Sequence, residues 1–485
     1  MITLILYYVV LLSATFLIAR NAYKMWALNH DFTLPIITFF MYYFTLAGAL
    51  IFPLDAYFGF KGGAIGLHYI QMFDRLFVVD FDRDYILSVG YYVLFMLVFQ
   101  YAYIFAVKKY VQPALNKELK KDAVAYELVL QPLVVLLIAL FCIAVSFYVL
   151  RDEIFYAISH EKSIYLITRA TVNKYYTIHQ LANEFCVIVP FIAFSFAITQ
   201  SDVYSIKAIN RRRDVLIILS ACVISSLYIA LLGNRREILS GLIICILIGI
   251  NNIGNMHYKR MGAIFIVVLA LFLSNDFLRS TYIPRELNAF AHPQEIKEMQ
   301  WKVVEKVAPE KNVGKEVLGS FLFSNELFYA HFSMYGIIHK EVPITYGSSF
   351  VYLATSVVPR AIYSNRPPDI YNYYATSVNA VKGQIYTIHH AAAWYLNLGI
   401  VGLILGAVIL AVLMAFPYYL RAIPFRYTNS FFQLLKYLLP FLLCSQIVTF
   451  ITAGPEAYKS LMLEGVLLPI ILLLLCLKKN TFVSK

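Results

Sequence analysis

Leu128–Leu150 reads LVLQPLVVLLIALFCIAVSFYVL, without a single charged residue. A helical run of about 20 apolar residues matches the hydrocarbon thickness of a bilayer. Comparable runs recur on both sides of it, at about 2–19, 34–52, 85–107, 180–199, 214–232, 237–250, 261–276, 391–416, 432–452 and 460–477. With 128–150 they make about eleven spans. The sequence therefore predicts an all-α polytopic membrane protein.

Composition agrees. The chain is 61% hydrophobic and only 14% charged, whereas a soluble domain carries about 25% charged residues. One large soluble core would not need so many uninterrupted spans. The six cysteines each lie inside an apolar run. With no CxxC or Cys/His spacing among them, they read as small packing residues. The net charge of +12 comes largely from cations flanking spans. There they set topology and attract anionic headgroups, and no nucleic-acid partner is implied. Met1–Leu17 lacks a basic leader and an A-x-A-like cleavage site, so it reads as a retained first span.

Basic residues fix the expected orientation. Lys108, Lys109, Lys117, Lys120 and Lys121 follow span 3, and Lys207 and Arg211–Arg213 follow span 5. Lys259–Arg260 follow span 7, Arg421 and Arg426 follow span 9, and Lys478, Lys479 and Lys485 close the chain. With eleven spans these segments share one side with Arg20 and Lys24, and that side is expected to be the cytoplasm. The N-terminus is then periplasmic. The opposite side receives 53–84, 151–179, the turn 233–236, the long segment 277–390 and the turn 453–459. The organisation expected is eight spans in 1–276, a large extracytoplasmic loop in 277–390, and three spans with a cytoplasmic tail in 391–485. Val317–Ile338 inside the loop is amphipathic, with Phe321, Phe323, Phe328, Phe332 and Tyr335 on it. Such a stretch lies on a membrane or dips into it.

Polar chemistry concentrates on that outer side. Gly233-Asn234-Arg235-Arg236-Glu237 places paired arginines at a helix end. A guanidinium binds phosphate through a planar fork of donors, and interfacial snorkelling is the competing reading. Arg360 and Arg366 form a second candidate anion clamp, with Pro367-Pro368 stiffening the backbone beside Arg366. His389-His390 stands directly ahead of an apolar helix, and histidine transfers protons or donates to phosphate. An interfacial pair packed on aromatics is the alternative. Of the 38 tyrosines, Tyr373, Tyr374 and Tyr395 are candidates for stacking on sugar rings, because they share the loop region with the basic residues. Asp80-Phe81-Asp82-Arg83-Asp84, with Asp74 nearby, has the alternation that can hold a divalent cation. The rest of an EF-hand is missing, so it reads as a solvated loop end. No metal ligand set is assigned.

The pattern resembles the O-antigen polymerases and related repeat-unit polymerases, the Wzy-type membrane glycosyltransferases, and is also similar to the O-antigen ligases. As architecture the resemblance covers most of the chain: a GT-C-like set of ten or more spans with one large outer loop late in the sequence. As motif it rests on Gly233-Asn234-Arg235-Arg236, on Val358-Pro359-Arg360 followed by Asn365-Arg366-Pro367, and on His389 followed by Tyr395-Leu396-Asn397-Leu398-Gly399-Ile400-Val401-Gly402. A glutamate common in the family before that tyrosine is replaced by Ala393-Trp394. The resemblance implies a reaction at the periplasmic face of a bacterial inner membrane. Undecaprenyl-pyrophosphate-linked oligosaccharides are the implied substrates, and a chain-length regulator protein is an implied partner. No nucleotide, metal or other cofactor is required, because the donor already carries its leaving group. Arg235, Arg236, Arg360 and Arg366 are expected to bind pyrophosphate, and His389 or His390 to act as base or phosphate donor. The alternatives are the ligase, a transferase using single-sugar lipid phosphates with an acid in 53–84, and a lipid-linked oligosaccharide flippase.

Overall fold

The computed structural model describes residues 2–29, 33–58, 80–113, 126–159, 164, 176–199, 206–207, 211–234, 236–252, 325–356, 367–378, 388–422 and 430–481. Eight helices among them are long and apolar enough to cross a membrane, from Ile2–Leu28 to Pro455–Leu475. Glu237–Gly249 and Leu434–Ser445 are shorter apolar helices at two further expected spans. The expected span 261–276 lies outside the described residues. The protein is a mostly helical, membrane-embedded chain.

It folds as two compact units, each built from separated stretches of sequence. Unit 1 comprises Met1–Lys117, Glu305–Ala422 and Ile447–Leu461, and unit 2 comprises Glu118–Val304, Ile423–Gln446 and Met462–Lys485.

Unit 1 holds α1 (Ile2–Asn29), α2 (Thr33–Thr45), α3 (Ala47–Phe58) and α4 (Arg83–Ala106, extended by a π-turn Val107–Val111). Asp82 caps α4 by accepting the Tyr85 N–H at 2.8 Å, the usual way to satisfy a free amide at a helix start. Polar ties join the spans: the Tyr7 hydroxyl donates to Ala49 O, and Gln100 Nε2 donates to Ile18 O.

The expected amphipathic stretch contributes α9 (Asn325–His339), its number fixed by four unit 2 helices before it. Ala330 to Tyr335 and Ile337 are buried, because α9 packs against α2, α3, α4 and α12 (His390–Ala422). It is an interior element of the unit rather than one lying on its surface. Between α9 and α12 come α10 (Ser348–Thr355) and α11 (Ile370–Ser377).

The expected span 391–416 is not one helix. Leu398 and Gly399 leave helical geometry, Gly399 at φ 63 and ψ −147, a conformation open to glycine alone without strain. A Cβ on Gly402 would sit 2.2 Å from Trp394 O, and one on Gly406 would sit 2.4 Å from the Trp394 ring. In a continuous helix those residues would be separated by about 12 and 18 Å along the axis. The chain therefore doubles back at Leu398–Gly399, and an N-terminal arm, 390–397, lies along the long arm that follows. The carbonyls freed by the break are recaptured: Thr345 N–H donates to Leu396 O and Gly347 N–H to Asn397 O. Asn397 uses its whole amide, donating to Ser349 Oγ and Ala393 O and accepting from Ser349 N–H and Thr345 Oγ1.

Unit 2 is built on α5 (Pro132–Ser159), α6 (Tyr176–Thr199), α7 (Arg211–Leu231), α8 (Arg236–Asn252), α13 (Ser430–Ser445) and α14 (Leu468–Leu475). Ser146 Oγ sits within 2.9 Å of His179 Nδ1, Asn183 Oδ1 and the Tyr228 hydroxyl, joining α5, α6 and α7. Gly233, at φ 73, ends α7: Asn234 N–H reaches back to Ile229 O and Gly233 N–H to Ala230 O. That is a Schellman cap, and it makes the turn into α8 tight.

The all-α expectation needs one amendment. Tyr126–Leu130 (β1), Ile206–Lys207 (β2) and Leu477–Thr481 (β3) form a sheet of order β2-β1-β3, parallel on one edge and antiparallel on the other. Sequence patterning placed 128–130 inside a span. The free backbone of three basic connecting segments instead pairs with itself, so these segments meet at one end of unit 2. None of the six cysteines is in a disulfide, and all but Cys245 are buried.

Candidate functional site

The polar material of unit 1 gathers where α4, α9 and the folded-back arm of α12 meet. His331, Tyr335 and His339 are spaced at i, i+4 and i+8 on α9, so they share one face of that helix. Tyr85 and Tyr92 stand two turns apart on the facing α4.

His331 is 1% exposed. Its Nδ1–H donates to Thr45 O at 2.5 Å, so its Nε2 accepts the Tyr85 O–H at 2.8 Å. Gly48 makes room for the ring, since a Cβ there would meet it at 3.0 Å. Burial pushes this imidazole down to about 4, opposed by the bond to Thr45. The Tyr92 hydroxyl donates to Ala330 O at 2.8 Å, and Ser333 Oγ donates to the same carbonyl.

His389 precedes the arm and is fully buried. Its backbone N–H donates to Ser333 Oγ at 3.0 Å, and its Nδ1 accepts the Ala391 N–H at 3.0 Å. Tyr92 meets the ring edge to face at 4.9 Å. Burial, and the neighbouring His390 and His331, hold the imidazole well below its ordinary pKa. A neutral ring whose Nδ1 accepts must carry its hydrogen on Nε2. That Nε2 is buried and has no hydrogen-bond partner among the described residues. An unmet buried donor costs about 1–3 kcal/mol. Such atoms are few in native proteins and ask for an explanation.

His390 differs. Its Nδ1–H donates to Ala453 O at 2.8 Å, and its Nε2 accepts from Tyr458 O–H at 2.8 Å and Trp394 Nε1–H at 2.9 Å. Both nitrogens are used in holding the arm to the turn at 453–458. Of the two histidines singled out in the sequence, His389 alone keeps a free donor.

The predicted sugar-stacking tyrosines take three different environments. Tyr374 is 2% exposed, a core side chain. Tyr373 lies near the surface and donates its hydroxyl to Pro343 O at 3.1 Å. Tyr395 packs on Tyr91 with ring centroids 5.1 Å apart. Arg235, Arg360 and Arg366 lie outside the described residues, and Arg236 opens α8.

The aspartates at 82 and 84 are more than a solvated end. Asp82 caps α4 through Oδ1, and its Oδ2 accepts the Tyr335 hydroxyl at 3.1 Å. His339 Nδ1 lies 3.3 Å from Asp84 Oδ2 and 3.7 Å from Asp82 Oδ2. Sequence reading did not single out His331 or His339. Their spacing on α9 with Tyr335 was the available signal.

Comparison with protein-family models, with curated proteins and with solved structures finds no match for this chain.

Proposed function

We propose that this protein is a membrane glycosyltransferase that extends a polysaccharide from lipid-pyrophosphate-linked oligosaccharide units, in the manner of an O-antigen polymerase. The observation that carries this reading is His389: a neutral imidazole, fixed in one tautomer, offering an unpaired Nε2–H from a buried polar cluster. In that tautomer it can donate but cannot take a proton at Nε2. It therefore suits the oxygen on which charge develops as a phosphate leaves.

In the reaction, a hydroxyl of the acceptor unit attacks the anomeric carbon of the donor sugar. The bond from that carbon to the pyrophosphate oxygen breaks, and undecaprenyl pyrophosphate departs. The hydroxyl proton is lost to water or to the departing pyrophosphate. His389 Nε2–H is assigned to the leaving oxygen. Arg235, Arg236, Arg360 and Arg366 are assigned to its phosphates, by the resemblance and by guanidinium chemistry. His390 is assigned a positioning role, since both its nitrogens are engaged. The periplasmic face of a bacterial inner membrane is the proposed location.

The test is a surface-glycan gel from a deletion strain complemented with wild type, His389→Gln or Arg235→Ala, with protein levels matched. A deletion ladder that collapses to core plus one repeat supports polymerisation. Each variant is expected to lose on the order of 10²–10³ in polymer yield, the scale of one preorganised donor. Absence of all surface glycan in the deletion strain points to a ligase or flippase. A normal ladder with His389→Gln removes that residue from the reaction.

A further inference from the structure

We propose that Asp82, Asp84 and His339 form a binding site for a first-row divalent cation at the N-terminal end of α4. The inference concerns binding alone and does not rest on the transferase reading.

His339 Nδ1 is in long hydrogen-bond contact with Asp84 Oδ2, and the separations among the three side chains are short enough for all of them to close on one cation. Asp82, Asp84 and His339 each offer one ligand atom, and these atoms all lie within 4.8 Å of one another. The imidazole nitrogen stands 3.3 and 3.7 Å from the two carboxylate oxygens. A charge-assisted hydrogen bond closes to about 2.7–2.9 Å. Ligands bound at about 2.1 Å to one metal, at tetrahedral to octahedral angles, sit about 3.0–3.4 Å apart.

The ligands come from two elements remote in sequence, the start of α4 and the end of α9, and Asp82 and His339 are oriented from outside the set. The His339 ring stacks on Tyr335, centroids 5.0 Å apart and planes at 17°. Tyr335 in turn donates to Asp82 Oδ2, the kind of outer hydrogen bond that aims a ligating carboxylate. Asp82 is held by its cap to Tyr85 N–H. Among the described residues no lysine or arginine pairs with either carboxylate, and Arg83 between them is exposed. Two negative charges therefore converge on a nitrogen with no fixed cation.

Two carboxylates and one imidazole favour manganese, zinc or iron(II) over calcium, which takes six to eight oxygens. Side-chain exposures of 31–38% leave open coordination positions to water.

The test uses the purified full-length protein in detergent, stripped with chelator and titrated with manganese(II) and with zinc(II). One saturable site is expected, with a rise in melting temperature on binding. Asp84→Asn and His339→Gln are each expected to weaken binding at least about 10-fold, on the scale seen when a metal's surroundings are altered. Absence of saturable binding overturns the proposal, as does affinity unchanged in both variants. If either variant fails to fold, pulsed electron paramagnetic resonance of manganese on the wild type decides. Nitrogen coupling from an imidazole supports the site, and its absence overturns it.

Discussion

At the scale of single residues, hydrogen-bond bookkeeping separates histidines that sequence treats alike. His389 and His390 are adjacent and both buried, yet one has a spare donor and the other has none. The pair was legible as chemistry because two histidines ahead of an apolar helix are rare. Which of them is free was not, because the answer lies with Ala391, Trp394, Ala453 and Tyr458. His331 supplies a pH prediction. Its pKa falls from 6.5 to about 4 on folding. A group that binds protons less readily when folded stabilises fully above pH 6.5, and the contribution fades as pH drops toward about 4. The difference amounts to about 3 kcal/mol, and His389 acts with the same sign. The melting temperature in detergent is expected to fall between about pH 7 and pH 4.5. His331→Gln, which can still donate to Thr45 O, should lose part of that acid sensitivity. A melting temperature unchanged across that range in the wild type would contradict a neutral, buried His331.

At the scale of elements, the spans follow from hydropathy because burial in lipid depends on little else. The break at Leu398–Gly399 does not. An apolar window running through 391–416 looks the same whether the backbone continues or reverses. Gly399, Gly402 and Gly406 were the only hints, and glycine spacing more often marks helix contact. In the folded chain Gly402 and Gly406 do serve a close contact, with Trp394 of the same element as the partner. Gly402→Ala puts a carbon 2.2 Å from a carbonyl oxygen that belongs to backbone, so the arm itself must move. A loss of about 1–3 kcal/mol is expected, read as a lower melting temperature with His389-dependent activity falling alongside it. Wild-type melting in that variant would mean that the arm does not double back. The sheet was illegible for a related reason: β1 is apolar enough to extend a span on paper, and its pairing with 206–207 and 477–481 is a long-range event.

At the scale of the molecule, charge bias assigned three basic segments to one side before any geometry, and β1, β2 and β3 bring those segments together. Three of the segments assigned to the opposite side meet in unit 1, where 82–84 contacts 335–339, 345–349 contacts 396–397, and 453–458 contacts His390. Single cysteines introduced at Glu341 and at Asn480, in a background lacking the native six, are therefore expected to react with an impermeant thiol reagent from the periplasm and from the cytoplasm respectively. Labelling of both from one side would refute the orientation. The way unit 1 is assembled from distant stretches also bears on its birth at the ribosome. The recess for the His331 ring is prepared by Thr45, Gly48 and Tyr85, but its occupant follows Tyr85 by 246 residues. The first helices into the bilayer thus carry a polar notch that stands open through most of translation. During that interval they depend on lipid, water or an insertion chaperone to shield Tyr85, and nascent chains halted before His331 emerges are expected to be the ones that quality-control proteases remove.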